Sequence, residues 1–158
     1  MTIDLENDSK YQEQLIEYKF VSELMISLAF LGKKLEVLRV HTDAFGYDLI
    51  LKVDEKIKYV QLKSRKLDGK AKYWNVHKSL LSNNQGIILV IFYSLEKNDL
   101  KLFYNYLDFN KYNETKNTEP KYKKDHEKYC KVSKKDMIYL DTIHDLAKIL
   151  FFKEEVGV

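Results

Sequence analysis

Asp48, Gln61 and Lys63 are the residues of this 158-residue chain whose types and spacing suggest chemistry, in the pattern D-x12-Q-x-K. A carboxylate and an amide oxygen are hard donors that together can hold a cation such as Mg2+, which keeps several of its waters. An ammonium beside them can orient or deprotonate an attacking water, or stabilise charge developing on a phosphate. The three side chains do this only where the fold gathers them. On a hairpin whose polar side simply faces water they would do nothing.

The elements that must gather them are legible in GYDLILKVDEKIKYVQLKSR, residues 46–65. Tyr47, Leu49, Leu51 and Val53 alternate with Asp48, Ile50, Lys52 and Asp54. Beyond a polar turn, Lys58, Val60, Leu62 and Ser64 alternate with Tyr59, Gln61, Lys63 and Arg65. Period 2 on both sides argues an antiparallel hairpin with one buried and one polar face. With Glu55 and Lys56 as a two-residue loop, Asp54 pairs with Ile57, Ile50 with Gln61 and Asp48 with Lys63. A slip of one residue would set the two patterns against each other. The favoured register clusters Asp48, Gln61 and Lys63 on one face.

Around the hairpin, residues 11–31 read as a helix with Leu15, Tyr18, Val21, Met25 and Leu28 on one face, stopped by Gly32. Its second half, LMISLAFL, is apolar almost all round, which predicts a helix covered on several sides. Glu23 lies on a stripe with Ile16, Phe20, Ser27 and Phe30, where a carboxylate needs a partner, and so joins the candidates. Residues 35–40 read as a strand and 41–45 as a turn. After the hairpin come a basic loop (66–73), a short helix (75–82), and the apolar run GIILVIFYSL (86–95), a strand buried on both faces. A turn at Asn98-Asp99 leads into the strand LKLFYNYL. Then follow a lysine-rich loop (110–128), a short strand at 129–132 and a helix over 141–152 capped by Asp141 or Thr142. The whole, residues 1–158, reads as a single domain with a loose polar lead-in over 1–10.

Composition excludes several classes. Hydrophobic residues at 45% and charged residues at 32% are an ordinary globular balance. One cysteine, Cys130, rules out an internal disulfide framework and a cysteine-cluster zinc site, and suits a reducing compartment. The acidic N-terminus is unlike a signal peptide, and the longest apolar runs, 28–31 and 86–93, are too short to cross a bilayer. A cytoplasmic protein with no membrane partner is expected. His41, His77, His126 and His144 lack metal-ligand spacing, and no phosphate-cradling glycine loop or nucleophile elbow occurs.

The net charge of +3 is unevenly distributed: residues 63–78 carry +5, and so do residues 111–135. Such segments build a local field that attracts phosphate. Arg65, Lys66, Lys70 and Lys72 are the candidate nucleic-acid contacts, and Trp74, next to Tyr73, is a candidate for stacking on a base. Tyr112, Tyr122 and Tyr129 also lie among lysines. With only two arginines, Arg39 and Arg65, contacts would go to backbone phosphates rather than to guanine edges.

The order helix with Glu23, strand, G-Y-D-L-I-L, turn, Y-V-Q-L-K-S-R, helix, strand resembles the PD-(D/E)XK nuclease superfamily over roughly residues 15–108. SELMISLAFLGKKLEV looks like that fold's first helix and following glycine. VQLKSRK is similar to the core of archaeal Holliday-junction resolvases. It is closer to the Q-x-K variant of some restriction endonucleases and of uncharacterised bacterial nuclease-like proteins. The resemblance implies an α/β, restriction-endonuclease-like fold, with a central mixed β-sheet flanked by helices in the order α-β-β-β-α-β-β and a C-terminal helix. It implies Asp48 as metal-binding aspartate, Gln61 in the second metal-ligand position with the Leu62 carbonyl beside it, and Lys63 as catalytic lysine. Glu23 would be the helix carboxylate that steadies Lys63 or the attacking water. The implied activity is hydrolysis of a DNA phosphodiester with Mg2+ or Mn2+, with DNA as partner and a possible homodimer for cutting duplex. Gln61 in place of the usual acid removes one negative charge, and Gly-Tyr rather than proline precedes the aspartate. Two other readings therefore stay open: a nuclease-fold module without catalysis that binds nucleic acid or a protein, and an unrelated α/β binding domain.

Overall fold

In the computed structural model, which describes residues 2–41, 46–108 and 129–152, the chain begins with a helix fastened at both ends. Helix α1 spans Ser9–Phe30. Asp8 caps it by accepting the Tyr11 N–H at 3.1 Å. Residues before it are not the loose lead-in expected: the Gln12 side chain reaches back to the carbonyls of Leu5 and Glu6, and Tyr93 donates to Gln12 at 2.8 Å. At the other end Gly32 adopts φ +77. Its N–H and that of Lys33 bond to the carbonyls of Ala29 and Leu28, a Schellman closure that a residue with a Cβ would strain.

The buried stripe of α1 is Gln12, Ile16, Phe20, Leu24, Ser27 and Leu28. This corrects the expected face: Tyr18 and Met25 are exposed, and Phe30 is 87% exposed. The helix covers the sheet with one stripe only, so its apolar second half is half bare rather than enclosed.

Six strands form the main sheet, in the order β1-β2-β3-β5-β6-β8. They are β1 (Glu36–Arg39), β2 (Leu49–Val53), β3 (Lys56–Lys66), β5 (Gly86–Glu96), β6 (Asp99–Asp108) and β8 (Ile138–Leu140). Only the central pair, β3 with β5, runs parallel, so the sheet is mixed. Residues 86–93 of β5 are all buried, as the continuous apolar run predicts. On one face, α1 and the C-terminal helix α3 (Ile143–Phe151) pack on Leu49, Leu51, Val60, Leu89, Ile91 and Tyr104. Thr142 rather than Asp141 caps α3, accepting the Asp145 N–H at 3.1 Å. The two helices are bridged by Ser27 Oγ and His144 Nδ1 at 3.0 Å. The result is an α/β fold with a central mixed sheet, flanking helices and a C-terminal helix.

The other face departs from expectation. Residues 75–82 do not form one helix: β4 (Tyr73–His77) is a strand and α2 is only Lys78–Leu81. Tyr73, Asn75 and His77 alternate with buried Trp74 and Val76, a period-2 pattern with aromatic and β-branched residues. Its partner is β7 (Tyr129–Ser133), and the two make a separate antiparallel ribbon. The ribbon and α2 bury Trp74, Val76, Leu80 and Val132 against Ile88, Val90 and Phe92 of β5. The lysine-rich stretch 110–128 lies outside the described residues.

The β2–β3 hairpin forms, but in another register. The two-residue turn is Asp54-Glu55, and Val53 pairs with Lys56, Ile50 with Tyr59 and Leu49 with Val60. Asp54 takes φ 53, a left-handed conformation that aspartate tolerates. The Lys33 ammonium holds its carboxylate at 2.7 Å. A two-position shift keeps every side chain on its face, so the alternation alone could not separate the two registers. It brings Asp48 past Val60 towards Gln61 and Leu62 instead of opposite Lys63.

Candidate active site

β2 pairs with β3 only as far as Val60, while β3 continues to Lys66. Among the described residues no strand covers that remaining edge. Asp48 sits where the ladder ends. Tyr47 packs into the ribbon-side core and Leu49 into the helix-side core, although residues two apart on a regular strand share a face. The chain therefore kinks at Asp48, as at a bulge. Its N–H donates to the Val60 carbonyl at 2.8 Å, and its own carbonyl accepts the Val40 N–H at 3.0 Å. Its Oδ2 accepts the Leu62 N–H at 2.8 Å. A carboxylate has taken over the role of a strand partner. Because N–H and C=O of one strand residue point the same way, the Leu62 carbonyl opens on this edge too.

A cavity of about 490 Å³ lies here, walled by Glu13, Ile16 and Glu17 of α1, by Arg39 at the end of β1 with Val40 and His41 after it, by Asp48, and by Leu62, Lys63, Ser64 and Arg65 of β3. Its charged groups are mixed: three carboxylates against Arg39, Lys63 and Arg65. Glu17 pairs with Arg39 at 3.4 Å. Arg39 also lies 4.8 Å from the centre of the Tyr18 ring. Arg65 donates to the Ser64 carbonyl at 2.7 Å.

The structure thus brings together Asp48, Leu62, Lys63 and Arg65. It does not bring Glu23 to them. Glu23 Oε2 accepts the Tyr104 hydroxyl at 2.9 Å, and Oε1 pairs with Lys19 at 3.2 Å. Burial, and then the neighbouring Glu23 carboxylate, push the Tyr104 phenol well above its ordinary range, so it stays a donor. The partner that a carboxylate on this stripe requires is a tyrosine of β6, not the cavity. Glu13 and Glu17, missed from the sequence, face the cavity instead. Their i, i+4 spacing on one side of Ile16 is the signal that marks them.

Gln61 does not line the cavity either. It is level with Ile88 across the parallel β3–β5 pairing, on the ribbon side. It is only 8% exposed, and its Oε1 has no hydrogen-bond partner. Arg65, Lys66, Lys70 and Lys72 are exposed, as phosphate contacts must be. Trp74 is a correction: it is 2% exposed, edge-on to Phe92 with ring centres 6.1 Å apart, and offers no face to a base.

Two oxygens at the β3 edge fit a hard divalent cation in kind, the Asp48 carboxylate and the Leu62 carbonyl, while the unpartnered Gln61 Oε1 is next in the chain but outside the cavity lining. Among the described residues, no three His, Cys, Asp or Glu side chains converge into a ready-made metal centre. An ion held here would complete its shell with water and substrate phosphate, as Mg2+ commonly does.

No protein-family model matches the chain, nor does any curated protein match it in sequence. Among solved structures, the chain is similar to Hjc, a Holliday junction resolvase from the archaeal hyperthermophile Archaeoglobus fulgidus, with 12% sequence identity and a TM-score of 0.40. The similarity covers 72% of this chain and 88% of that one.

Proposed function

We propose that the protein is a metal-dependent DNA endonuclease that hydrolyses phosphodiester bonds, serving defence, mobile-element or recombination processes. The observation that carries this reading is the Asp48 carboxylate held on the Leu62 N–H, at the open edge of β3, in a cavity that Lys63 also lines. Asp48 and the Leu62 carbonyl would hold Mg2+ or Mn2+. A bound divalent ion supplies positive charge to the phosphate oxygens. Lys63 places its ammonium to orient the attacking water or to balance phosphate charge as the P–O bond to the leaving oxygen breaks. Glu17 or Glu13, rather than Glu23, would be the helix carboxylate at this site. Arg65, Lys66, Lys70 and Lys72 would hold flanking phosphates.

The orphaned Gln61 amide favours a second reading, a nuclease-like module that binds DNA without cutting it. Cleavage of supercoiled plasmid, linear duplex, single strand and four-way junction in Mg2+ or Mn2+ separates the two. Cutting that is lost in Asp48→Ala and Lys63→Ala supports the nuclease. Retention of DNA without cutting supports the module. A cut in both strands of a duplex calls for two sites, so a homodimer is expected in sedimentation. No helix among the described residues is long and apolar enough to cross a membrane.

A further inference from the structure

The two basic stretches of the sequence contribute the two strands of one ribbon. β4 and β7 pair antiparallel, Tyr73 with Ser133, Asn75 with Lys131 and His77 with Tyr129. Since Trp74, Val76 and Val132 are buried against the main sheet, strand alternation turns those six residues outward. Tyr73 is 52% exposed. The Lys131 ammonium stands 4.1 Å from the centre of its ring, holding the ring from one side. Lys72 and Lys134 flank the same end, where the Lys134 N–H donates to the Lys72 carbonyl at 2.8 Å. Residues 70–77 and 129–135 include five lysines and no acid.

An exposed ring among cations on a hydrogen-bonded ribbon suits one kind of partner. An unpaired nucleic-acid strand lays a base on the ring whatever its identity, and its phosphates meet the lysines. A duplex keeps its base faces stacked and can use only the lysines. The ribbon also adjoins the candidate active site. Gly46, two residues before Asp48, lies so close to the ribbon that an added Cβ would come within 2.1 Å of the His77 Cβ.

We propose that the outer face of the β4–β7 ribbon binds an unpaired DNA strand, with Tyr73 as the stacking residue and Lys72 and Lys131 as phosphate contacts. This rests on DNA being the partner and deepens that reading: the substrate carries a single-stranded segment beside the bond to be cut.

Fluorescence anisotropy of a labelled oligothymidine and of a blunt duplex of equal length, both in EDTA, tests it. Tyr73→Ala is expected to weaken oligothymidine binding roughly 5- to 100-fold while leaving duplex binding within about twofold. Tyr73→Phe, which keeps the ring, should bind like the parent protein. Lys131→Ala should weaken both and flatten the salt dependence by about one phosphate contact. The proposal is overturned if the parent protein does not bind oligothymidine, if Tyr73→Ala binds it unchanged, or if Tyr73→Phe loses as much as Tyr73→Ala. These readouts need neither metal nor cleavage. A protein that cuts DNA yet ignores Tyr73 sinks the ribbon site alone; one that never cuts but binds through Tyr73 sinks only the nuclease.

Discussion

Asp48 Oδ2 accepts the backbone N–H of Leu62 at 2.8 Å, so a side chain closes the hydrogen-bond ladder at the point where β2 leaves β3. The bond does two things. It satisfies a half-buried donor that has no strand opposite it, and it fixes a negative charge beside the Leu62 carbonyl and within the cavity that Lys63 lines. Structure and proposed chemistry therefore meet in one residue and can be separated by substitution.

Asp48→Asn keeps an oxygen for the Leu62 N–H but removes the charge, whereas Asp48→Ala removes both. Asp48→Ala should lose about 1–3 kcal/mol of stability, the cost of stranding the donor, and Asp48→Asn much less. Both should lose cleavage by about 10²–10³-fold. Urea unfolding beside plasmid cleavage checks this. Equal stability losses in the two variants would refute the role given to the Leu62 bond.

Gln61→Glu places a carboxyl where the amide oxygen is buried and unpartnered. Burial penalises the charged form, so without metal the variant should melt lower than the parent protein. If the position adjoins a cation site, Mg2+ should restore much of the loss, raise metal affinity and speed cutting. Thermal unfolding in EDTA and in Mg2+ reads this without relying on activity. Identical melting shifts in both buffers would mark the position as structural only.

In the proposed site Glu17 takes the place that the sequence suggests for Glu23. Glu17→Ala should reduce cleavage and free Arg39 from its 3.4 Å partner. Glu23→Gln still accepts from the Tyr104 hydroxyl and gives up only a partly exposed pair with Lys19, worth less than about 1 kcal/mol. Its cleavage rate should match the parent's. Glu23→Ala leaves that buried hydroxyl stranded and should cost about 1–3 kcal/mol. A rate loss confined to the Glu23 variants would return Glu23 to the site.

Trp74 is buried with its indole N–H unpartnered. Trp74→Phe removes that stranded donor along with some volume, two effects of opposite sign, so its net effect should be within about 1–2 kcal/mol. Trp74→Ala opens a cavity under the ribbon and should cost about 3–5 kcal/mol. Single-strand binding should be unchanged in Trp74→Phe. A large loss of binding there would show that the ring reaches DNA after all.

What the sequence by itself determined is which residues within a regular strand share a face, up to the kink at Asp48 that parts Tyr47 from Leu49. The alternation in residues 47–65 and the apolar run in β5 specify burial, because slipping a strand by one position would exchange its two faces. The alternation therefore nominates Asp48, Gln61 and Lys63, of which Gln61 does not line the cavity, while the Leu62 carbonyl enters only through the resemblance. Three other matters were decided only in the folded chain. The hairpin register rests on Asp54 accepting a left-handed φ and on Lys33 reaching it from the end of α1, since a shift of two positions leaves every face unchanged. The helix carboxylate was ambiguous because α1 is apolar on more than one side; Glu13 and Glu17 face the cavity, while Tyr104, about eighty residues on, takes Glu23. The ribbon was illegible because a strand as short as β4 is stable only when paired and packed, and its partner β7 lies beyond two strands of the main sheet. Local pattern sets the face; contacts between distant segments set the register, the partner and the site.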